Sequence, residues 1–172
     1  MSKGAVMWFC KSDWDGTWDR FDGRLTEECE KYGCGSQMLV KYVWPLPEEK
    51  FVPYTVDLFE MQQTNHFTGR VRNVLCVSLS EEPAETMTDY LDIVWLVKIN
   101  GRDRWVGLDE SIQSVLEDMI DKKHLEVYHY EGGCHSYYYY TVYDQGQLQW
   151  VQENQFTKTV RPMIRGVKVQ AP

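Results

Sequence analysis

The chain states one pattern twice. Gln63, Asn65, Phe67, Thr68, Val71 and Arg72 fit Q-x-N-x-F-T-x-x-V-R, and so do Gln152, Asn154, Phe156, Thr157, Val160 and Arg161. The repeat extends upstream. Trp8 and Trp18 stand as far apart as Trp95 and Trp105. Phe21, Leu25 and Glu30 in the first copy match Leu108, Ile112 and Glu117 in the second. The copies are 87 residues apart at the tryptophans and 89 at the glutamines, so the second copy carries a small loop insertion. A repeat of this length predicts two small units rather than one undivided core. The expected division is 1–78 for the first domain, 79–90 for an acidic, proline-bearing linker, and 91–172 for the second domain.

Each domain is near the lower size limit for burying a core. The 7 Trp, 11 Tyr and 6 Phe compensate, because each aromatic buries a large area. In the first copy Ala5–Cys10 reads as an apolar strand, Asp15-Gly16 as a hairpin turn and Thr17–Phe21 as the returning strand. Arg24–Tyr32 predicts a short helix stopped by Gly33 and Gly35. Gln37–Val43, Val52–Leu58 and Arg70–Val77 follow as strands, with Pro45 and Pro47 in a loop. The second copy repeats this order. Asp92–Ile99, Arg104–Val106, Leu125–Tyr130, Tyr137–Tyr143 and Thr159–Val169 read as strands, and Asn100-Gly101 and Gly132-Gly133 as turns. Asp109 is the expected N-cap of a helix whose apolar face is Ile112, Val115, Leu116, Met119 and Ile120. The fold class is α+β: two domains, each a curved antiparallel half-barrel sheet packed on one helix.

The net charge of −8 argues against general binding to DNA, which needs a basic footprint. It leaves room for a local anion site, since distant carboxylates are screened beyond about 8 Å at physiological salt. No apolar run is long enough to cross a bilayer, and no signal peptide is visible, so no membrane association is expected. The five cysteines, Cys10, Cys29, Cys34, Cys76 and Cys134, are odd in number and form no C-x-x-C pair. They read as reduced thiols in a cytoplasmic or nuclear protein, without a metal site. No phosphate loop, nucleophile elbow or ligand-spaced cluster marks an enzyme, and no cofactor is expected.

The residues Trp8, Trp18, Glu30, Tyr54, Val56, Asp57, Met61, Gln63, Asn65, Thr68, Gly69 and Arg72 resemble the WWE domain. Trp95, Trp105, Glu117, Gln152, Asn154, Thr157 and Arg161 carry a looser resemblance in the second copy. There Lys158 replaces the glycine, and Tyr140-Thr-Val-Tyr143 replaces Tyr54-Thr-Val-Asp57. The resemblance implies a recognition module for poly(ADP-ribose) or terminal ADP-ribose within a ubiquitin ligase or ADP-ribosyltransferase. It also implies a rival: tandem WWE domains of Deltex-type ligases engage ankyrin repeats, so the ligand is either the nucleotide or a folded protein partner. The family pocket carries over to Tyr54, Gln63 and Arg72, and to Gln152 and Arg161. For the second tyrosine, Tyr140 matches the Tyr-Thr-Val string and Tyr143 matches the distance to Gln152; Tyr140 is preferred.

The chemistry of such a ligand suits these side chains. An aromatic ring stacks on adenine for roughly 1–3 kcal/mol. A guanidinium clamps phosphate oxygens in bonds of about 1.5–3 kcal/mol each. A glutamine offers both donor and acceptor to a base edge or hydroxyl. Phe9 is placed to supply a stacking ring in the first copy, where Leu96 stands in the second. Arg70 is placed on the face of Arg72, where the second copy has Thr159. The first copy is therefore expected to hold the fuller pocket. The tryptophans read mainly as core, the glutamines equally as structural amides, and Glu30 and Glu117 as caps or backbone partners.

Overall fold

The computed structural model describes residues 5–13, 15–45, 51–79, 93–99, 103–118, 120, 124–130, 137–146 and 149–169, with the backbone alone for 44, 45, 51, 124–130 and 137–139. The expected linker beyond Leu79, the Asn100-Gly101 and Gly132-Gly133 turns, Pro47, Met119 and the side chains of Tyr137–Tyr139 lie outside that set. The chain divides into two compact units. One gathers Ala5–Ser78 with the chain from Lys168 onward, and the other contains Leu79–Val167.

The first unit runs β1 (Val6–Lys11), β2 (Trp18–Arg20), α1 (Gly23–Tyr32), β3 (Leu39–Pro45), β4 (Phe51–Asp57), β5 (Gln62–Asn65) and β6 (Val71–Leu79). All pairings within it are antiparallel, in the order β3-β4-β5-β6-β1-β2. Asp22 caps α1: its Oδ1 accepts the Leu25 N–H at 2.8 Å, and its other oxygen accepts the Tyr42 hydroxyl. This satisfies a donor that the first turn otherwise leaves open. Gly33 ends the helix at φ 80°, where a Cβ is disfavoured, and returns its N–H to the Cys29 carbonyl. Leu25 and Cys29, one turn apart, bury that helix against Trp8, Val40, Val56, Leu58, Val74 and Cys76. Phe21 stacks on Trp8 with ring centres 6.5 Å apart. Val169 joins this cluster and donates its N–H to the Cys76 carbonyl at 2.9 Å.

The second unit repeats the order: β7 (Ile93–Lys98), β8 (Arg104–Gly107), α2 (Glu110–Asp118), β9 (His124–Tyr130), β10 (Tyr137–Asp144), β11 (Trp150–Asn154) and β12 (Val160–Lys168). Its antiparallel pairing runs β9-β10-β11-β12-β7-β8. Its core joins Ile93, Trp95, Val97, Leu116, Ile120, Val142, Trp150 and Met163. Trp150 meets Trp95 edge-on, with ring centres 5.2 Å apart.

Two expectations change here. The Gln-x-Asn segments are themselves strands, β5 and β11, between the strands that sequence reading recognised. β5 is polar throughout, with Gln63 its buried residue, and in β11 the inward Trp150 is followed by the buried amides Gln152 and Asn154. The inner face of α2 is also rotated from the expected one. Val115 is 42% exposed, while Gln113 and Glu117 turn inward with Ile112 and Leu116. Asp109 starts the helix through its carbonyl, which accepts the Ile112 and Gln113 N–H groups at 3.0 Å.

Candidate functional site

In the second unit, antiparallel register places Val142 opposite Gln152 and Gln152 opposite Arg161. Tyr140 lies two residues from Val142, hence on the same face of the sheet. Tyr140, Gln152 and Arg161 border one cavity of about 360 Å³, completed by Val97, Lys98, Val106, Leu108 and Asp109. That is the lower range of small-molecule sites, which run from about 300 to 1,000 Å³. Of the two tyrosines left open by the sequence, Tyr140 borders the cavity; Tyr143 pairs with Val151 on the alternate phase of the strand. Tyr140 and Gln152 are buried and Arg161 is half-buried, so a guanidinium stands at the rim of a largely apolar hollow.

Lys98 brings a second cation. Its ammonium lies 5.8 Å from the centre of the Trp105 ring and 3.4 Å from the Asp103 carboxylate. Sequence reading missed Lys98, although the repeat carried a signal: Lys11 stands 87 residues earlier and lies 5.7 Å from the Trp18 ring centre. Asp109 was read as a cap and also borders the cavity.

The first unit has the same register. Tyr54 faces Asn65, Val56 faces Gln63, and Gln63 faces Arg72, so all three expected residues share one sheet face. Their partners differ from those in the second unit. The Cys10 thiol donates to the Gln63 amide oxygen at 3.0 Å. Burial pushes that thiol up to about 11, against the pull of the adjacent Arg72 guanidinium. Arg72 is engaged by Asp13, whose Oδ2 accepts from its Nε at 3.0 Å and lies 2.9 Å from its Nη2 in an ion pair. Burial works against the charge on Arg72, but the Asp13 carboxylate outweighs it and holds the pKa raised. Arg70 reaches the same oxygen at 3.4 Å. Tyr54 accepts a hydrogen bond from Asn65 Nδ2 at 3.2 Å.

Phe9 must be corrected. It is 0% exposed and offers no ring to a ligand. Trp8 and Cys10 point to the helix side of β1, and strand alternation sends Phe9 to the other face. In the second unit a tyrosine, a glutamine and an arginine border one cavity, and in the first unit thiol and carboxylate groups engage Gln63 and Arg72.

Glu117 also departs from its expected role as cap or backbone partner. It lies buried, forming a two-bond ion pair with Arg165 at 2.9 and 2.7 Å and accepting the Trp95 indole N–H at 2.6 Å. The signal for Arg165 was one charge inside the otherwise apolar run from Met163 to Val167.

Comparison with known families meets this geometry at one place. The WWE domain model matches residues 6–75. WWE domains bind ADP-ribose or poly(ADP-ribose) and mediate protein interactions; they are recognition domains rather than catalytic ones. The matched WWE segment spans β1 to the middle of β6, with the Trp8 core and the Gln63–Arg72 pair inside it. No curated protein matches the chain.

Proposed function

We propose that the chain is a tandem of two WWE-type domains that recognises ADP-ribose, as a free terminus or within poly(ADP-ribose). It serves a larger ubiquitin-ligase or ADP-ribosyltransferase protein of the cytoplasm or nucleus. The second unit is then a diverged WWE domain, a reading supported by its identical element order and by the motif ending at Arg161. The observation that carries the ligand is the cavity where Tyr140, Gln152 and Arg161 meet. Tyr140 offers a ring to a base, Gln152 an amide to a base edge or hydroxyl, and Arg161 with Lys98 two cations to a pyrophosphate. Tyr54, Gln63, Arg70 and Arg72 form the corresponding set in the first unit.

Calorimetric titration of the chain with ADP-ribose and iso-ADP-ribose tests this. Arg161→Gln removes a charged contact and weakens binding about tenfold or more. Arg72→Gln has the smaller effect, because Asp13 already competes for that side chain. Wild-type affinity in Arg161→Gln would refute the assignment.

A specific observation favours a second reading, a protein partner such as an ankyrin-repeat domain. Phe67 and Phe156 are 81% and 73% exposed, each on a turn closed by the preceding asparagine. Leu39 and Val43 are also exposed, beside a hollow of about 710 Å³ that Tyr54 borders too. Rigid, solvent-facing aromatics are the residues that anchor protein interfaces. Absence of heat with either nucleotide moves the assignment to this surface.

A further inference from the structure

We propose that the Asp13 carboxylate is a built-in competitor for the anionic part of the first unit's ligand, so that a pyrophosphate binds there only by displacing it. This rests on the reading of Gln63 and Arg72 as an ADP-ribose-type site. One oxygen of Asp13 receives the Nε and Nη2 of Arg72 and the Nη1 of Arg70. A guanidinium fork closing on a single anionic oxygen is also how arginine takes a phosphate oxygen. The carboxylate thus stands where a ligand phosphate would, and it keeps both arginines gathered in an anion-binding arrangement.

The turn that carries Asp13 does not depend on this contact. Ser12 donates its N–H to the Thr17 carbonyl at 2.7 Å. Asp15 accepts both the N–H and the hydroxyl of Thr17, at 3.1 and 2.6 Å. Among the described residues the hairpin's own bonds run through Ser12, Asp15 and Thr17, while the Asp13 carboxylate faces its arginines. It discriminates on charge. A nucleoside lacking phosphate has nothing to exchange for a carboxylate, whereas a phosphate or pyrophosphate group offers charged oxygens in its place. At the matching place of the second copy the chain has Asn100, which carries no charge.

The test uses the full chain with Arg161→Gln, which removes the second unit's arginine. Inorganic pyrophosphate and ADP-ribose are titrated with and without Asp13→Asn, and the Arg72 Nε–H resonance is followed by NMR. Asp13→Asn should tighten both ligands by about two- to fivefold, the range expected when a partly exposed ion pair no longer competes. Adding Arg72→Gln should abolish the gain. Unchanged or weaker binding in Asp13→Asn, with the thermal midpoint retained, overturns the proposal. So does a gain that persists without Arg72, because it would then reflect net charge alone. If Asp13→Asn tightens pyrophosphate but ADP-ribose binds no better than pyrophosphate, the competitor stands and the ADP-ribose reading fails. If wild-type ADP-ribose binding is lost with Arg161→Gln and Asp13→Asn never alters it, only the competitor fails.

Discussion

At matching places the two units fill the space behind the first tryptophan in opposite ways. In the second, Glu117 and Arg165 are buried together, and Trp95 donates its indole N–H to the same carboxylate. In the first, Cys76 of β6 stands opposite Trp8 of β1, as Arg165 of β12 stands opposite Trp95 of β7. Glu30 faces solvent, and the Trp8 indole N–H has no partner among the described residues. Cys29 and Cys76 line this core as neutral thiols, with burial pushing each up to about 12. One unit is held by desolvated charges that satisfy each other, the other by small polarisable groups that need no partner. The same helix-and-sheet frame accepts either solution, provided each buried charge is matched.

The largest expected effect breaks the charged solution. Arg165→Met leaves the Glu117 carboxylate buried without its cation and costs about 3–5 kcal/mol in urea denaturation. The double change Glu117→Leu with Arg165→Met recovers part of that loss, since no uncompensated charge remains. A single-variant cost below about 1 kcal/mol would mean that the ion pair is hydrated, and the contrast between the units would dissolve.

A smaller effect sharpens the contrast at the tryptophans. Trp95→Phe deletes a hydrogen bond to a charged acceptor, whereas Trp8→Phe deletes an indole N–H that has no partner. Trp95→Phe should therefore cost about 1–3 kcal/mol more than Trp8→Phe. Equal losses in paired denaturation curves would show that indole volume matters and the hydrogen bond does not.

The smallest effect concerns the repeated turn. Gly69 and Lys158 occupy the same place, at φ 72° and 58°. Glycine adopts that conformation freely and lysine does so under strain. No atom lies within 4 Å of a Cβ built on Gly69, so strain alone separates the two residues there. Gly69→Lys should destabilise by about 1 kcal/mol and Lys158→Gly should stabilise by a similar amount, read as opposite shifts in thermal midpoint. Shifts of the same sign would show that the two turns are not equivalent.

Sequence reading reached the aliphatic strands and both helices, because local periodicity and turn residues announce them. The Asx turns after Gln63 and Gln152 are local too, with Asn65 accepting the Phe67 and Thr68 N–H groups and Asn154 those of Phe156 and Thr157. Phe9 was misplaced by one strand phase, since adjacency in sequence puts neighbours on opposite faces. Strands β5 and β11 give no aliphatic alternation, because amides (Gln63 in β5, Gln152 and Asn154 in β11) take inward positions.

The repeated order of elements, the two tryptophan cores and the arginine beside each glutamine were determined by the sequence itself, since turn chemistry and strand alternation act within a few residues. Tertiary structure alone decided which groups those side chains meet. Asp13 reaches Arg72 across 59 positions, and Glu117 reaches Arg165 across 48. Contacts so remote in sequence are set by strand register and by the rotation of a helix. The burial that follows decides whether an arginine is held by an internal carboxylate, locked in a core or left at the rim of a cavity.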